Sequence, residues 1–338
     1  MKKIEISVII PIIKISKYLT EENLPAFEKQ TYQNFEVLVL PNKISQNDKL
    51  LLAKYPWLKI IPTNNVSRPA LKRDIGAKNS SGSVLAFIDD DAYPHPDWLK
   101  KTIDLLKNQT YGAVCGPGII PEETNLWEKV FDAILIYPLG SAQYTYRFTG
   151  KNPRFVDDYP SMNFIIRKDL FQQLGGFNNN YWPGEDSKLC NDLVYKLKQK
   201  IYYHPDILVY HHRRNNLLGY LKQHQQYGFH RGAFFAHGDI NSKRFTYIIP
   251  SFFVAYLLAL LLLTVANINN KLLIVLNLPL FFYLINIIFL SVNTFFKKKL
   301  LLIALLAPPV LVITHLLYGI LFVKGYFAGL INKQNIYE

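Results

Sequence analysis

Cysteine is almost missing from this 338-residue chain: only Cys115 and Cys190 occur, and they lie far apart. Two such residues give neither a disulfide framework nor a metal-thiolate site, and they fit a reducing compartment. There is no internal repeat and no low-complexity linker. A cleavable leader is not expected either. The apolar run Ile6 to Ile10 is short, no small-residue cleavage site follows it, and Lys14 and Lys17 come soon after. The front of the protein is therefore expected to stay in the cytoplasm. From about Phe245 onward acid almost disappears, and Leu, Ile and Phe take over.

What is present is a basic chain that is half hydrophobic, with a net charge of +13 and a pI near 9.4. Such a balance points to anionic partners: nucleotide phosphates, a lipid surface or nucleic acid. No basic module interleaved with aromatics occurs, and a run of three acids, Asp89-Asp90-Asp91, argues against a nucleic-acid partner.

Residues 1–110 alternate strand and helix patterns. Ile6 to Pro11, Phe35 to Leu40, Leu58 to Ile61 and Val84 to Ile88 read as strands, with helices over Glu21 to Gln30 and Arg68 to Asn79. Short apolar runs spaced by helices predict an α/β fold with a mainly parallel sheet. Residues 111–213 are less regular. Ser161 to Ile166 and Ile207 to Tyr210 read as strands, Lys168 to Leu174 as a helix stopped by Gly175-Gly176, and Ser187 to Gln199 as another helix. These two stretches form a first domain over 1–213, in two halves, 1–110 and 111–213.

Residues 214–245 mix aromatics with Lys222, His224, His230 and Arg231. They read as an amphipathic helix at a membrane surface, or as a plain surface helix of the first domain. Over 246–338 a transmembrane region is predicted. Residues 247–266 carry no charge, and twenty residues at ~1.5 Å each cross the ~30 Å hydrocarbon core. Residues 272–296 are also uncharged but hold Asn277, Pro279, Asn286 and Asn293. Residues 300–323 contain His315 and Pro308-Pro309, which kink a spanning helix or mark a re-entrant hairpin. Lys243-Arg244 and Lys297-Lys298-Lys299 then fall on one side, which the positive-inside rule assigns to the cytoplasm.

The acids follow the buried run Val84 to Ile88. A strand that delivers adjacent carboxylates to its C-terminal end builds a hard-cation site, where ligands of open α/β sheets bind. Asp90 sits between two such acids and points to the other face if the strand continues. Downstream, Glu185-Asp186 opens a predicted helix, His211 follows a strand, and Lys72 and Arg73 lie on the helix before the acidic strand.

Taken in order, Ser7-Val8-Ile9-Ile10-Pro11, Arg68 to Ala77, Phe87-Ile88-Asp89-Asp90-Asp91, Gly175-Gly176-Phe177 and Gly184-Glu185-Asp186 resemble glycosyltransferase family 2 over residues 4–235. The apolar tail, including His315 to Gly319 and Lys324-Gly325, resembles that of membrane-anchored members. The resemblance implies a GT-A fold, a Rossmann-like nucleotide-sugar-binding sheet, and an inverting, metal-dependent transfer to a lipid-linked or glycan acceptor at the cytoplasmic membrane face. It implies Asp186, with Glu185, as the catalytic acids, Asp186 serving as general base. Asp89, Asp91 and His211 would hold Mg²⁺ or Mn²⁺. Pro11, Lys72, Arg73, Asp89, Asp90 and Arg213 would contact the donor, Arg213 by clamping phosphates. Pro41-Asn42-Lys43 departs from the acids that often end the second strand, which leaves the base and ribose contacts open. The Gln-x-x-Arg-Trp motif of processive synthases is absent. A processive polysaccharide synthase and a non-catalytic membrane scaffold are the alternative readings.

Overall fold

The computed structural model describes residues 4–108, 111–177, 181, 183–266 and 270–331. Met1-Lys2-Lys3 and the last seven residues of the expected membrane region lie outside the described residues. The chain forms two compact units, one of Met1–Pro121 with Tyr146–His212, the other of Glu122–Thr145 with Arg213–Glu338. The second unit thus takes in residues 122–145, which the sequence pattern groups with the second half of the first domain, 111–213.

The first unit is built on eleven strands: β1 (Ile6–Pro11), β2 (Phe35–Leu40), β3 (Leu58–Ile60), β4 (Val84–Ile88), β5 (Ala92–Pro94), β6 (Ala113–Cys115), β7 (Gly118–Ile119), β8 (Arg154–Val156), β9 (Asn163–Arg167), β10 (Ile201–Tyr203) and β11 (Val209–His211). Eight of them form one sheet in the order β3-β2-β1-β4-β9-β6-β10-β8. β3, β2, β1 and β4 run parallel, as the spaced apolar runs predict. β9 enters antiparallel between β4 and β6, and β8 closes the far edge antiparallel to β10. β1, β2 and β4 are buried along their whole length, which is why they read as unbroken apolar runs rather than as alternation. The helix Pro69–Asn79 packs across β1 and β2.

A small second sheet, β5-β11-β7, positions the site. β5 leaves the acidic run immediately, and β11 pairs with it antiparallel so that His211 stands opposite Ala92. A histidine 120 residues downstream of Asp91 is thereby brought beside it. Strands of two or three residues carry no readable periodicity, so β5 and β7 have no counterpart in the sequence pattern.

In the second unit, three helices are long and apolar enough to cross a membrane: Phe245–Val265, Lys271–Lys298 and Leu301–Ile331. The second breaks at Asn277, between helices Asn270–Leu276 and Leu278–Lys298. The third runs unbroken through Pro308 and Pro309. Pro308 has no N–H for the carbonyl of Ala304, and the Ser291 hydroxyl donates to that oxygen instead, at 2.7 Å. The helix Leu126–Leu135 carries an apolar stripe of Val130, Phe131 and Ile134 and buries it against Leu290, Ile303, Ala307 and Leu311.

Helix Leu217–His237 lies along Leu301–Ile331 with the two backbones in contact. A Cβ on Gly232 would stand 2.1 Å from the Phe322 carbonyl oxygen, and one on Gly325 1.8 Å from that of Phe229. Two Gly-x-x-x-Gly pairs, Gly228/Gly232 and Gly325/Gly329, make this approach possible. The segment expected at a membrane surface is therefore a close-packed neighbour of the longest apolar helix.

Candidate active site

The site begins where β4 ends. Asp89, Asp91 and His211 each offer a ligand atom, and these atoms lie within 4.8 Å of one another. His211 Nε2 is 3.3 Å from Asp91 Oδ1, and the His212 N–H donates to the Asp91 carbonyl at 3.0 Å. Three ligand atoms this close could hold a hard divalent cation such as Mg²⁺. Two carboxylate oxygens and one imidazole nitrogen also suit Mn²⁺. The donor set fits the expected cation.

Asp90 turns elsewhere. Its Oδ2 accepts from the Ser16 hydroxyl at 2.6 Å, fastening the loop after β1 to the acidic turn. Burial, reinforced by the charges of Asp91 and Asp89, pushes its carboxyl up to about 6. His212 ties down the same loop region, with Nε2 2.9 Å from Glu22 Oε2 and its ring against Tyr18.

Lys72 and Arg73, both expected at the donor, are buried in the fold. Lys72 Nζ donates to the carbonyls of Ile12 and Leu40 and to Asn42 Oδ1, joining the ends of β1 and β2. Burial pulls its pKa down. Pro11 is buried at the end of β1, opposite Leu40. Arg73 bridges two motifs: it donates to Asp89 Oδ1 at 2.8 Å and to Glu185 Oε1 at 3.2 Å. Its guanidinium also sits 5.6 Å from the centre of the Phe177 ring. Arg213 belongs to the second unit, where it pairs with buried Asp132 at 3.2 Å, and Lys298 meets the other oxygen of that carboxylate at 3.1 Å.

Gly184, at φ +121°, lets the chain turn directly into the helix Glu185–Asn191. Asp186 Oδ1 accepts from the Ser187 N–H at 2.8 Å, and Oδ2 from the Ser161 N–H at 3.2 Å. Burial, with the Glu185 and Asp158 charges adding to it, pushes Asp186 up to about 7. A carboxylate so poised is basic enough to accept a proton near neutral pH.

Gly175-Gly176-Phe177 has a structural cause that residue pattern alone does not give. Asp74 Oδ1 accepts from the Phe177 N–H at 2.7 Å, and Phe177 packs on Phe87 at the end of β4. Gly176 has φ +75°, and a Cβ there would lie 2.5 Å from Asp74 Oδ1. Gly176→Ala is expected to destabilise the first unit by about 2 kcal/mol, read by thermal unfolding. Adding Asp74→Ala should not restore stability, because the left-handed backbone remains strained and the Phe177 N–H loses its acceptor.

The sequence pattern of Glycosyl transferase family 2 matches residues 7–175, half of the chain. The chain belongs to glycosyl transferase family 2. Among its relatives, a dolichyl N-acetyl-alpha-D-glucosaminyl phosphate 3-beta-D-2,3-diacetamido-2,3-dideoxy-beta-D-glucuronosyltransferase of Methanococcus voltae is 25% identical over 98% of this chain and 99% of its own length. Glycosyltransferase AglE of Haloferax volcanii is also 25% identical, over 57% of this chain and 63% of AglE, so the chain spans less than two thirds of that relative. A mannosyltransferase of Pyrobaculum calidifontis, solved with GDP-Man and Mn²⁺, shares the fold with a TM-score of 0.63 at 14% identity. That match covers 96% of this chain and 87% of the mannosyltransferase.

This family 2 glycosyltransferase therefore has the expected GT-A fold, and its three long apolar C-terminal helices fit membrane anchoring. The family match ends at Gly175, before Asp186 and His211. The geometry reaches past that limit: Arg73, inside the matched segment, binds Glu185 outside it. Asp74, Ser16, Ser161 and Ser187 were not among the expected site residues. Asp74 lies inside the Arg68 to Ala77 motif and Ser187 directly follows Gly184-Glu185-Asp186, whereas Ser16 and Ser161 carry no signal of their own in the sequence.

Proposed function

We propose that this transferase moves a sugar, with inversion at its anomeric carbon, from a nucleotide-sugar donor to a lipid-linked acceptor at the cytoplasmic membrane face, using a divalent cation. The observation that carries the reading is the Arg73 bridge. It ties the Asp89 end of a cation-binding cluster to the helix bearing Asp186, a carboxylate basic enough for proton abstraction. The lipid-linked acceptor is supported by the end-to-end likeness to the Methanococcus enzyme, whose name places its acceptor on dolichyl phosphate, and by the apolar helices.

Asp186 takes the proton of the acceptor hydroxyl as its oxygen bonds to the anomeric carbon. The bond from that carbon to the diphosphate oxygen breaks with its electron pair, which leaves on the nucleoside diphosphate. Asp89, Asp91 and His211 would hold Mg²⁺ or Mn²⁺, whose charge neutralises the leaving diphosphate. Arg73 keeps Asp89 and Glu185 in register during the exchange.

The test uses the full chain in lipid vesicles, a panel of UDP- and GDP-sugars, and dolichyl phosphate bearing one N-acetylglucosamine. Nucleoside diphosphate release should depend on the lipid, stop with EDTA and return with Mn²⁺. Asp91→Ala should lower it at least 100-fold, and the product should have the anomeric configuration opposite to the donor's. Undiminished turnover in EDTA, or equal transfer to a soluble glycan, would overturn the proposal.

A further inference from the structure

Asp158 is buried in the turn between β8 and β9 and belongs to no motif discussed so far. Its Oδ1 accepts from the Ser187 hydroxyl at 2.6 Å. Arg147 holds it from behind, donating to its carbonyl oxygen and standing 3.5 Å from its Oδ2. Ser187 is the residue whose N–H binds Asp186 Oδ1, and Ser161, three residues beyond Asp158, supplies the N–H on Asp186 Oδ2. Both oxygens of Asp186 are therefore held by amides beside Asp158, one on the serine whose hydroxyl Asp158 accepts from and one three residues further along the same turn.

We propose that Asp158 is a positioning residue for Asp186, aiming both its oxygens through Ser187 and the Ser161 turn and setting the charge beside it. The inference rests on reading Asp186 as the base. A carboxylate with two main-chain donors cannot rotate freely, so its remaining lone pairs keep a fixed direction. The charged groups acting on Asp186 are Glu185 on its own helix, Asp158 from the β8–β9 turn and Arg73 from the helix Pro69–Asn79. Glu185 is bonded to Arg73 at 3.2 Å, which partly offsets its charge. Asp158 adds a negative charge that favours the protonated form of Asp186 and so strengthens it as a base. Asp158 does not touch the reacting atoms and acts only through its neighbours.

Two measurements test this. The first is the thermal midpoint of the full chain against pH from 5 to 8.5, with and without Asp186→Asn; the inflection lost with Asp186→Asn belongs to Asp186. Asp158→Asn, which keeps an oxygen for Ser187, should move that inflection down by about one pH unit. The second is nucleoside diphosphate release from the UDP- and GDP-sugar panel. Ser187→Ala should lower kcat about tenfold at unchanged donor KM, and Ser187→Thr, which restores the hydroxyl, should recover it. An inflection that stays in place in Asp158→Asn, or a Ser187→Ala enzyme with wild-type kcat, overturns the proposal. Should Asp158→Asn fail to fold, the serine pair decides alone. Full transfer by Asp186→Asn would instead sink the base assignment, and the inflection would still report whether Asp158 sets the charge at Asp186.

Discussion

Asp186→Asn is expected to abolish sugar transfer and, above pH 7, to make the protein more stable. The two effects have one origin. Burial and the neighbouring acids raise Asp186 to about 7, against an ordinary value of 3.8. The folded state thus holds a proton on this group that the unfolded chain has already released. Stability from that proton is fully present below about pH 4 and is lost as pH rises through 7. The full separation amounts to about 4 kcal/mol, and partial exposure of the carboxylate cuts this to ~2 kcal/mol. An amide carries no such dependence. Thermal unfolding should show the variant ahead by about 5 °C at pH 8 and level with wild type at pH 4. Its nucleoside diphosphate release should fall by a factor of about 10² to 10⁴, the usual worth of a general base. In the unsubstituted enzyme the rate should climb as pH rises through 7, because only the ionised carboxylate accepts a proton. A variant that keeps its turnover, or loses stability at pH 8, would remove Asp186 from this role.

The parts of the site that were legible in the sequence are those in which local pattern and chemistry coincide. β4 is a buried strand, so its apolar run is continuous and the acids that end it stand out. β4 ends at Ile88, so it is the turn over residues 89–91, and not alternation along a continuing strand, that sends Asp90 to Ser16. The β1 and β2 runs were legible for the same reason. What stayed hidden depends on distance along the chain. Arg73 and Glu185 are 112 residues apart, and Asp74 and Phe177 are 103 apart. Residue type gave a basic helix face beside a donor site, but only the fold shows that Lys72 reaches the main chain inside and Arg73 spans two acids. The sequence pattern assigns no element to residues 122–145, and only the fold shows the helix that buries Val130, Phe131 and Ile134. Gly228, Gly232, Gly325 and Gly329 became meaningful only once the two helices were seen in contact.

Arg73→Met should be the most damaging single change in the first unit. The guanidinium is only 5% exposed and serves Asp89 and Glu185 together, so its loss takes the counter-ion from a carboxylate that is itself 7% exposed. Breaking a buried ion pair by removing one partner costs about 3–5 kcal/mol, mainly because the other charge is left behind. The thermal midpoint should therefore fall steeply at pH 8. Arg73→Lys places a single ammonium where a planar fork met two acids, and it should restore only part of the loss. The double variant Arg73→Met with Glu185→Gln separates stability from chemistry. Without the stranded charge it should regain most of the lost midpoint, yet Asp89 would still lack the donor that orients it. Transfer should then remain at least 100-fold down, with Mn²⁺ required at higher concentration for half-maximal rate. If the double variant recovered transfer along with stability, Arg73 would be no more than a counter-ion for Glu185, and its link to the cation cluster would carry no function.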